Sequence, residues 1–278
     1  MNHFFVLISF FCFAFACTEV PVEINPSGNT NNNENSDLKT QLQNVLIEEF
    51  TGVQCVNCPA GSEAIEQLLE RHGDRLVAVT IHAGFWSRKL SSSKQDLKND
   101  ASVALLNLLG EPLGYPAAAI NRKAFDVGEG LHLNKDDWAG IINSEKELDP
   151  SIALELDSQY DPNTRKLKVT VGMYQREEVG AEVRLTVMLT ESNIIDAQKT
   201  PTGTVDDYVH NHVIREMFTN YTGDVVSNLL VKDALVQRDY ELTLDDAWVF
   251  ENMELVALVH RHGTALDLIQ VVGKKVNK

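Results

Sequence analysis

The sequence is short of basic residues, and this shortage limits the partners that the protein can have. Its 278 residues include 24 lysines and arginines against 40 acidic residues, which gives a formal net charge of −16. The acidic excess is spread along the chain and is not confined to a tail. Because a uniformly acidic protein repels phosphate backbones, nucleic acid is not expected as a partner.

The N-terminus lacks an apolar run that is long enough to cross a bilayer as a helix. Residues 4–16 are apolar but too few for a hydrocarbon core of about 30 Å, and they have the length of a signal-peptide core. Ala14 and Ala16 supply the small residues of a cleavage site, and Cys17 follows at once, as in the lipidated cysteine of bacterial lipoproteins. We therefore expect residues 1–16 to be a signal peptide and Cys17 a lipid anchor in the bacterial cell envelope. Simple secretion after Ala16 is the alternative.

Cysteine is also scarce, with four in the whole chain. The mature protein keeps one Cys-x-x-Cys pair, Cys55 and Cys58, in a compartment that permits disulfides. No second such pair exists to complete a tetrahedral zinc site, and recruitment of His72 or His82 is the less favoured reading. A redox-active dithiol and a static local disulfide both stay open.

Composition and periodicity divide the mature chain into three parts. Residues 17–41 combine the anchor with a segment rich in Asn, Pro, Ser and Thr, which predicts a flexible tether. Residues 42–150 alternate strand-like and helix-like patterns, with helices expected at 96–109 and after Asn134, and this order predicts a mostly parallel sheet covered by helices. Residues 151–278 show period-two alternation between turns, which predicts an antiparallel β-sandwich of immunoglobulin-like type.

The position of the Cys-x-x-Cys pair favours reactivity. Cys55 is expected between a buried strand and a helix N-terminus, where unpaired N–H groups and the helix dipole lower the pKa of a thiol. Cys55 is then the nucleophile and the more buried Cys58 the resolving thiol.

These residues resemble the active site of a thioredoxin-like domain. The resemblance places Cys55 and Cys58 on the two active-site cysteines. It places Glu49 on a buried acid that carries the proton of the resolving thiol, and Pro116 on a cis-proline that docks substrate. From the residues alone, Glu49 could equally be a solvent-facing carboxylate, because its neighbour Glu48 points to the opposite face of the strand.

A wider resemblance covers nearly all of the mature chain. The stretches FTGVQCVNCPAG, IHAGFW, GYP and YVHNHVIREMF, in this order after a lipoprotein-like leader, are similar to the outer-membrane-protein-28-related family of bacterial envelope lipoproteins. The resemblance implies a thioredoxin-like domain followed by an immunoglobulin-like domain. It also implies a location in the bacterial cell envelope, at the outer membrane. It does not imply an established reaction.

Histidines provide weaker candidates. His82 ends the second strand of the parallel pattern, where it could tune the dithiol or be a buried neighbour only. His210 and His212 would share one face of a strand and could bind a metal together with a carboxylate, or brace a loop without one. The carboxylate candidates are Asp206, Asp207 and Glu216.

Two functions follow from the sequence. In the first, the protein is a thiol–disulfide oxidoreductase that acts on the thiols or disulfides of exported proteins and needs no cofactor. In the second, it is a non-enzymatic binding or adhesion lipoprotein, in which a thioredoxin-like scaffold keeps a structural disulfide and the sandwich binds a surface ligand. The membrane is a partner in both, through the lipid anchor.

Overall fold

The computed structural model describes residues 34–128 and 130–277, and β-strands dominate it. The strands form sheets of nine, three and two members. The helices of the described residues are α1 Glu34–Thr40, α2 Cys58–His72, α3 Asp100–Leu109 and α4 Trp138–Glu145. The strands are β1 Val45–Thr51, β2 Leu76–His82, β3 Ala117–Ile120, β4 His132–Leu133, β5 Ile152–Asp161, β6 Lys166–Gln175, β7 Glu182–Glu191, β8 Ile194–Thr200, β9 Gly203–His210, β10 Val213–Met217, β11 Asp224–Val225, β12 Leu235–Thr243, β13 Met253–His262 and β14 Leu268–Lys275. No helix among them is long and apolar enough to span a membrane.

The first part of the chain places four strands in the order β2-β1-β3-β4. β1 and β2 are parallel, but β3 is antiparallel to β1 and β4 is antiparallel to β3. The prediction of a mostly parallel sheet was therefore wrong. Because β3 is antiparallel to β1, the connection after β2 returns to the end of the sheet at which β1 and β2 finish, and Pro116, directly before β3, lies close to Gly61 of α2.

The helices of this part begin later than the sequence suggests. α3 starts at Asp100, not at 96, because Asn99 caps it: its side chain accepts the N–H of Ser102, and the Ser102 hydroxyl accepts the N–H of Asn99. Asn134 makes no side-chain capping bond, and α4 starts at Trp138 after one 3₁₀ turn.

The second part contains the predicted alternating strands in two layers. The three-stranded sheet, in the order β12-β6-β5, packs against β7, β13 and β14 of the large sheet. Alternate residues of each strand face the core between the layers, as in Leu167, Val169 and Val171 of β6. The predicted period-two pattern is thus confirmed, and two late strands that it indicates are β13 and β14.

One sheet passes through both parts of the chain. Val213 of β10 pairs with Thr80 of β2 in parallel, and the Thr80 N–H donates to the His212 carbonyl at 2.7 Å. The core under this junction is also shared, since Val79 of β2 and Ile214 of β10 belong to one buried cluster. The boundary between residues 150 and 151 remains a prediction, and both the sheet and this core cross it.

The tether prediction needs a correction at its end. Residues 34–40, which lack apolar periodicity, form α1, and the buried Leu38 packs against Ala153 and Tyr174. Tertiary packing therefore orders a segment whose own composition favours disorder. Cys17, the signal peptide and the tether up to residue 33 lie outside the described residues.

A buried ion pair fixes the turn after β3. Arg122 donates to both carboxylate oxygens of Glu48, with distances of 2.6 to 3.2 Å, and both side chains are fully buried. Asn121 and Arg122 both have positive φ, and the Asn121 side chain accepts the N–H of Leu46. This arrangement ties the end of β3 to the middle of β1.

Candidate functional site

Cys55 and Cys58 form a disulfide in the loop that joins β1 to α2. α2 begins at Cys58, so Cys55 lies between β1 and the helix N-terminus. The N–H of Cys58 still closes a turn on the Cys55 carbonyl at 3.4 Å. Both cysteines are buried, Cys55 with 5% and Cys58 with 1% of its surface exposed, while Val56 between them is 43% exposed.

Glu49 is fully buried, which answers the question of its exposure that the sequence left open. The Ser62 hydroxyl lies 3.4 Å from Glu49 Oε2, and Oε1 has no hydrogen-bond partner among the described residues. Burial raises the pKa of Glu49 from 4.5 to about 8, with a smaller opposite effect from the Ser62 hydrogen bond. The carboxyl group is therefore mostly protonated at neutral pH and can gain or lose a proton near it.

Pro116 is half-buried and lies against Gly61 of α2, close to this acid. The Tyr115–Pro116 peptide bond is cis. A Cβ atom added to Gly61 would lie 2.6 Å from Glu49 Oε1 and 2.7 Å from Pro116 Cβ. Glycine at position 61 thus allows the helix, the acid and the proline to approach one another closely.

A cavity of about 120 Å³ connects Glu49 with Cys58. Residues from both parts of the chain line it. The N-terminal part contributes Thr80 and His82 as well as the acid and the cysteine, and the C-terminal part contributes Gln198, Tyr208 and His210 from β8 and β9.

His82 and His210 are neutral neighbours in this cavity. Their rings meet edge to face, with centroids 5.3 Å apart, and His210 also contacts the ring of Tyr208. Burial, with a smaller contribution from nearby Arg215, holds the pKa of His82 well below 6.5, and burial lowers the pKa of His210 to about 4. Both nitrogens of His82 and the Nε2 of His210 lack partners among the described residues, so these rings face the cavity as unpaired polar groups.

His210 and His212 do not lie together on one face of a strand. The chain turns between them, because His212 has a φ of +55°, and the strand face that the sequence suggested does not extend to it. The His212 Nε2 lies 3.6 Å from Glu66 Oε1, a carboxylate that is not among the predicted metal partners Asp206, Asp207 and Glu216. No cluster of three ligand side chains suited to a metal occurs within residues 34–128 and 130–277.

The two-stranded sheet of β8 and β9 covers the Cys-x-x-Cys loop, and we call it the covering hairpin (residues 194–210). The buried Gln198 side chain donates to the carbonyl of Cys55 at 2.9 Å and lies 3.4 Å from that of Gly52. The N–H of Lys199 donates to the carbonyl of Val53 at 2.8 Å. The disulfide loop is therefore held by hydrogen bonds from the C-terminal part of the chain.

Replacing Gln198 by alanine is expected to loosen this loop. The carbonyls of Cys55 and Gly52 would lose a buried donor, which costs about 1–3 kcal/mol of the free energy of unfolding. We also expect faster reduction of the disulfide by dithiothreitol, because access to it requires the hairpin to move. Gln237→Ala, at an exposed position of β12, is the control and should change neither quantity. An unchanged reduction rate in the Gln198 variant would show that the hairpin does not restrict access.

Sequence reasoning located the disulfide, the acid and the proline, but it missed the covering hairpin. Gln198 and Tyr208 lie at least 140 residues from the cysteines along the chain, and no local pattern marks them. The one available signal was the unassigned strand-like stretch that contains His210.

Comparison with known proteins gives a family and two fold relatives. A family model described as outer membrane protein Omp28 matches residues 111–278, which is more than half of the chain. Comparison with curated proteins found no match.

Among solved structures, HBP35 of Porphyromonas gingivalis matches with a TM-score of 0.65 and 20% identity, covering 85% of this chain and 76% of its own. A structural-genomics target from Agrobacterium tumefaciens matches with a TM-score of 0.52 and 12% identity, covering 86% and 97%. A domain of the outer membrane lipoprotein Omp28 from Porphyromonas gingivalis covers 46% of this chain and 89% of its own, at 21% identity and a TM-score of 0.33. At identities of 20% and 12%, the similarity to the first two structures concerns the fold alone.

Proposed function

Because the chain belongs to the Omp28 family of outer membrane proteins, we propose that it is an envelope lipoprotein whose Cys55–Cys58 pair exchanges disulfides with exported proteins. Family membership gives the location, the bacterial outer membrane. The lipid anchor at Cys17 and the redox activity belong to the proposal.

We further assign a thioredoxin-like fold to residues 42–150 and an immunoglobulin-like sandwich to residues 151–278. The strand order β2-β1-β3-β4, with one parallel and two antiparallel pairs, supports the first assignment. The two packed layers with alternating core residues support the second. The similarity to HBP35 over most of both chains is in keeping with this combination.

The reaction uses two thiol–disulfide exchanges. A substrate thiolate attacks the Cys55 sulfur of the oxidised protein, the Cys55–Cys58 bond breaks, and the Cys58 thiolate leaves. Glu49 gives its proton to this thiolate. A second substrate thiolate then attacks the substrate sulfur of the mixed disulfide, the bond from that sulfur to Cys55 breaks, and Cys55 leaves as a thiolate that takes up a proton. The substrate is thereby oxidised to a disulfide and the protein is left as a dithiol. In the reverse direction Cys55 attacks a substrate disulfide, Cys58 resolves it, and Glu49 takes the proton.

One observation carries this proposal: the buried Glu49, with a pKa of about 8, lines the same cavity as Cys58. A fully buried acid destabilises a fold, and such perturbed groups concentrate at sites of proton transfer. The protonated form of this acid can serve a leaving thiolate near neutral pH, since its pKa is close to that of a thiol.

The proposal is tested by a glutathione redox titration of the mature chain together with trapping of mixed disulfides by Cys58→Ser. We expect a reduction potential within the range of about −120 to −270 mV found in oxidoreductases, and envelope proteins captured through Cys55. The double variant Cys55→Ser/Cys58→Ser is the control and should capture nothing. A potential below about −300 mV with no captured protein would exclude the oxidoreductase.

The second candidate is the non-enzymatic lipoprotein with a static disulfide and a surface ligand. The burial of both cysteines under the covering hairpin favours it, because Gln198 holds the loop closed. The same titration separates the two functions.

A further inference from the structure

A surface loop that follows β2 has a composition unlike that of the rest of the chain. Residues 85–98, which we call the aromatic–basic loop, carry four basic side chains and one acidic one, against a net charge of −16 for the whole protein. Within the part of the chain that the structure describes, none of these four basic side chains forms a salt bridge. The basic residues are Arg88, Lys89, Lys94 and Lys98.

Two large aromatic side chains project from the start of this loop. Phe85 is 57% and Trp86 is 42% exposed, and their rings meet edge to face with centroids 5.0 Å apart. The Arg88 guanidinium lies 4.3 Å from the centroid of the Phe85 ring. The loop therefore presents an aromatic pair to solvent with cationic groups beside it.

The loop is held in place, so this exposure is a fixed property of the surface. The N–H of Gln54 donates to the Trp86 carbonyl at 2.9 Å. The buried Asp196 carboxylate accepts the N–H groups of Lys94 and Gln95 at 2.9 and 3.0 Å. Leu97 points inward and is buried. Leu97 of this loop thus packs into the core, whereas the rings of Phe85 and Trp86 stay exposed to solvent.

We propose that the aromatic–basic loop docks onto an anionic lipid surface. Tryptophan and phenylalanine insert at the boundary between head groups and acyl chains, and lysine and arginine bind the anionic head groups of lipids. The charge of the loop is complementary to such a surface, whereas the rest of the acidic protein is repelled by it. The family location at the outer membrane puts this surface within reach.

Docking at this loop also sets the orientation of the disulfide. Trp86 is hydrogen-bonded to the loop that contains Cys55, and the exposed Val56 belongs to that loop. The Cys-x-x-Cys face would then lie next to the bilayer.

The test uses the full chain reconstituted in vesicles that contain lipids brominated in the acyl chain, which quench a tryptophan inserted among them. The quenching of Trp86 is obtained by subtracting the signal of Trp86→Phe from that of the wild type. The subtraction removes the signals of Trp138 and Trp248, which both proteins contain. We expect about threefold stronger quenching of Trp86 in phosphatidylcholine with about 30% phosphatidylglycerol than in phosphatidylcholine alone. About 0.5 M NaCl should abolish most of this difference, because salt screens the charges.

A charge reversal with a matched control identifies the side chains. Lys89→Glu/Lys94→Glu should remove the dependence on anionic lipid, whereas Lys168→Glu/Lys275→Glu, an equal change of charge at exposed positions outside the loop, should leave it intact. Circular dichroism of each variant confirms that it is folded. Equal quenching in both kinds of vesicle, or equal effects of the two double variants, overturns the proposal. Protection of Trp86 only after addition of envelope proteins overturns it as well and assigns the loop to a protein partner.

Discussion

Replacing Glu49 by glutamine is expected to stabilise the protein at alkaline pH and to leave its stability unchanged in acid. The pKa of Glu49 is about 8 in the fold, against 4.5 for an ordinary glutamate. A raised pKa means that the folded state binds the proton more tightly than the unfolded state does. The contribution of the neutral acid is fully present below pH 4.5 and is lost as the pH rises through about 8.

The difference between the two pKa values corresponds to a loss of at most about 5 kcal/mol of the free energy of unfolding above pH 8, at about 1.4 kcal/mol for each pKa unit. Urea unfolding of the oxidised protein at several pH values should show a wild-type stability that falls over this interval. The Glu49→Gln variant keeps the size of the side chain and should show a flatter profile. Glu63→Gln, at an exposed position of α2, is the control and should follow the wild type. Parallel profiles for the wild type and Glu49→Gln would mean that this acid is not the source of the pH dependence.

The same variant should lose redox function while it gains stability. Without a proton donor at position 49, the rate of disulfide exchange is expected to fall by about a hundredfold or more, as when a general acid is removed. Stopped-flow reduction of the disulfide by a small thiol measures this rate. A buried acid that destabilises the fold and lines the same cavity as Cys58 is what the proposed reaction would require.

Replacing Arg122 by methionine is expected to have the largest effect on stability at neutral pH. The change leaves the Glu48 carboxylate fully buried without its cation, which typically costs about 3–5 kcal/mol. Chemical unfolding at pH 7 measures the loss.

The double variant Glu48→Met/Arg122→Met should recover most of that loss, because a pair of apolar side chains of similar size removes both charges together. Lys166→Met, which breaks an exposed pair with Glu241, is the control and should cost about 1 kcal/mol or less. A double variant that is no more stable than Arg122→Met would show that the cost comes from the left-handed turn at Arg122 and not from the unpaired carboxylate.

The two adjacent acids of β1 show what the sequence could and could not reveal. Alternation along a strand sends Glu48 and Glu49 to opposite faces, and this was predictable. Which face was buried was not, because it depends on what covers each one. Arg122 covers Glu48 from the turn after β3, and the packing of α2 around Gly61 covers Glu49. Both faces of β1 are therefore covered, and both acids are buried.

The residues of the site also fall into those that the sequence indicated and those that it did not. The cysteines, the acid and the proline lie close in sequence to the strand ends that position them, so local patterns and a family resemblance sufficed to find them. Tyr208, Gln198 and His210 reach the cavity only because β10 joins β2, and a single parallel contact between distant strands leaves no periodic trace. Long-range pairing of this kind is the part of a fold that one sequence specifies least visibly.

The junction between β2 and β10 also determines how the chain can be cut. A fragment that ends near residue 150 would leave β2 as an exposed edge strand with unpaired N–H and C=O groups, and the complementary fragment would expose β10 in the same way. Exposed edge strands pair with other chains and lead to aggregation. Each fragment would also lose part of the apolar core that Val79 and Ile214 share. We therefore expect neither half to fold as a free-standing module, and recombination at this point to yield aggregating products.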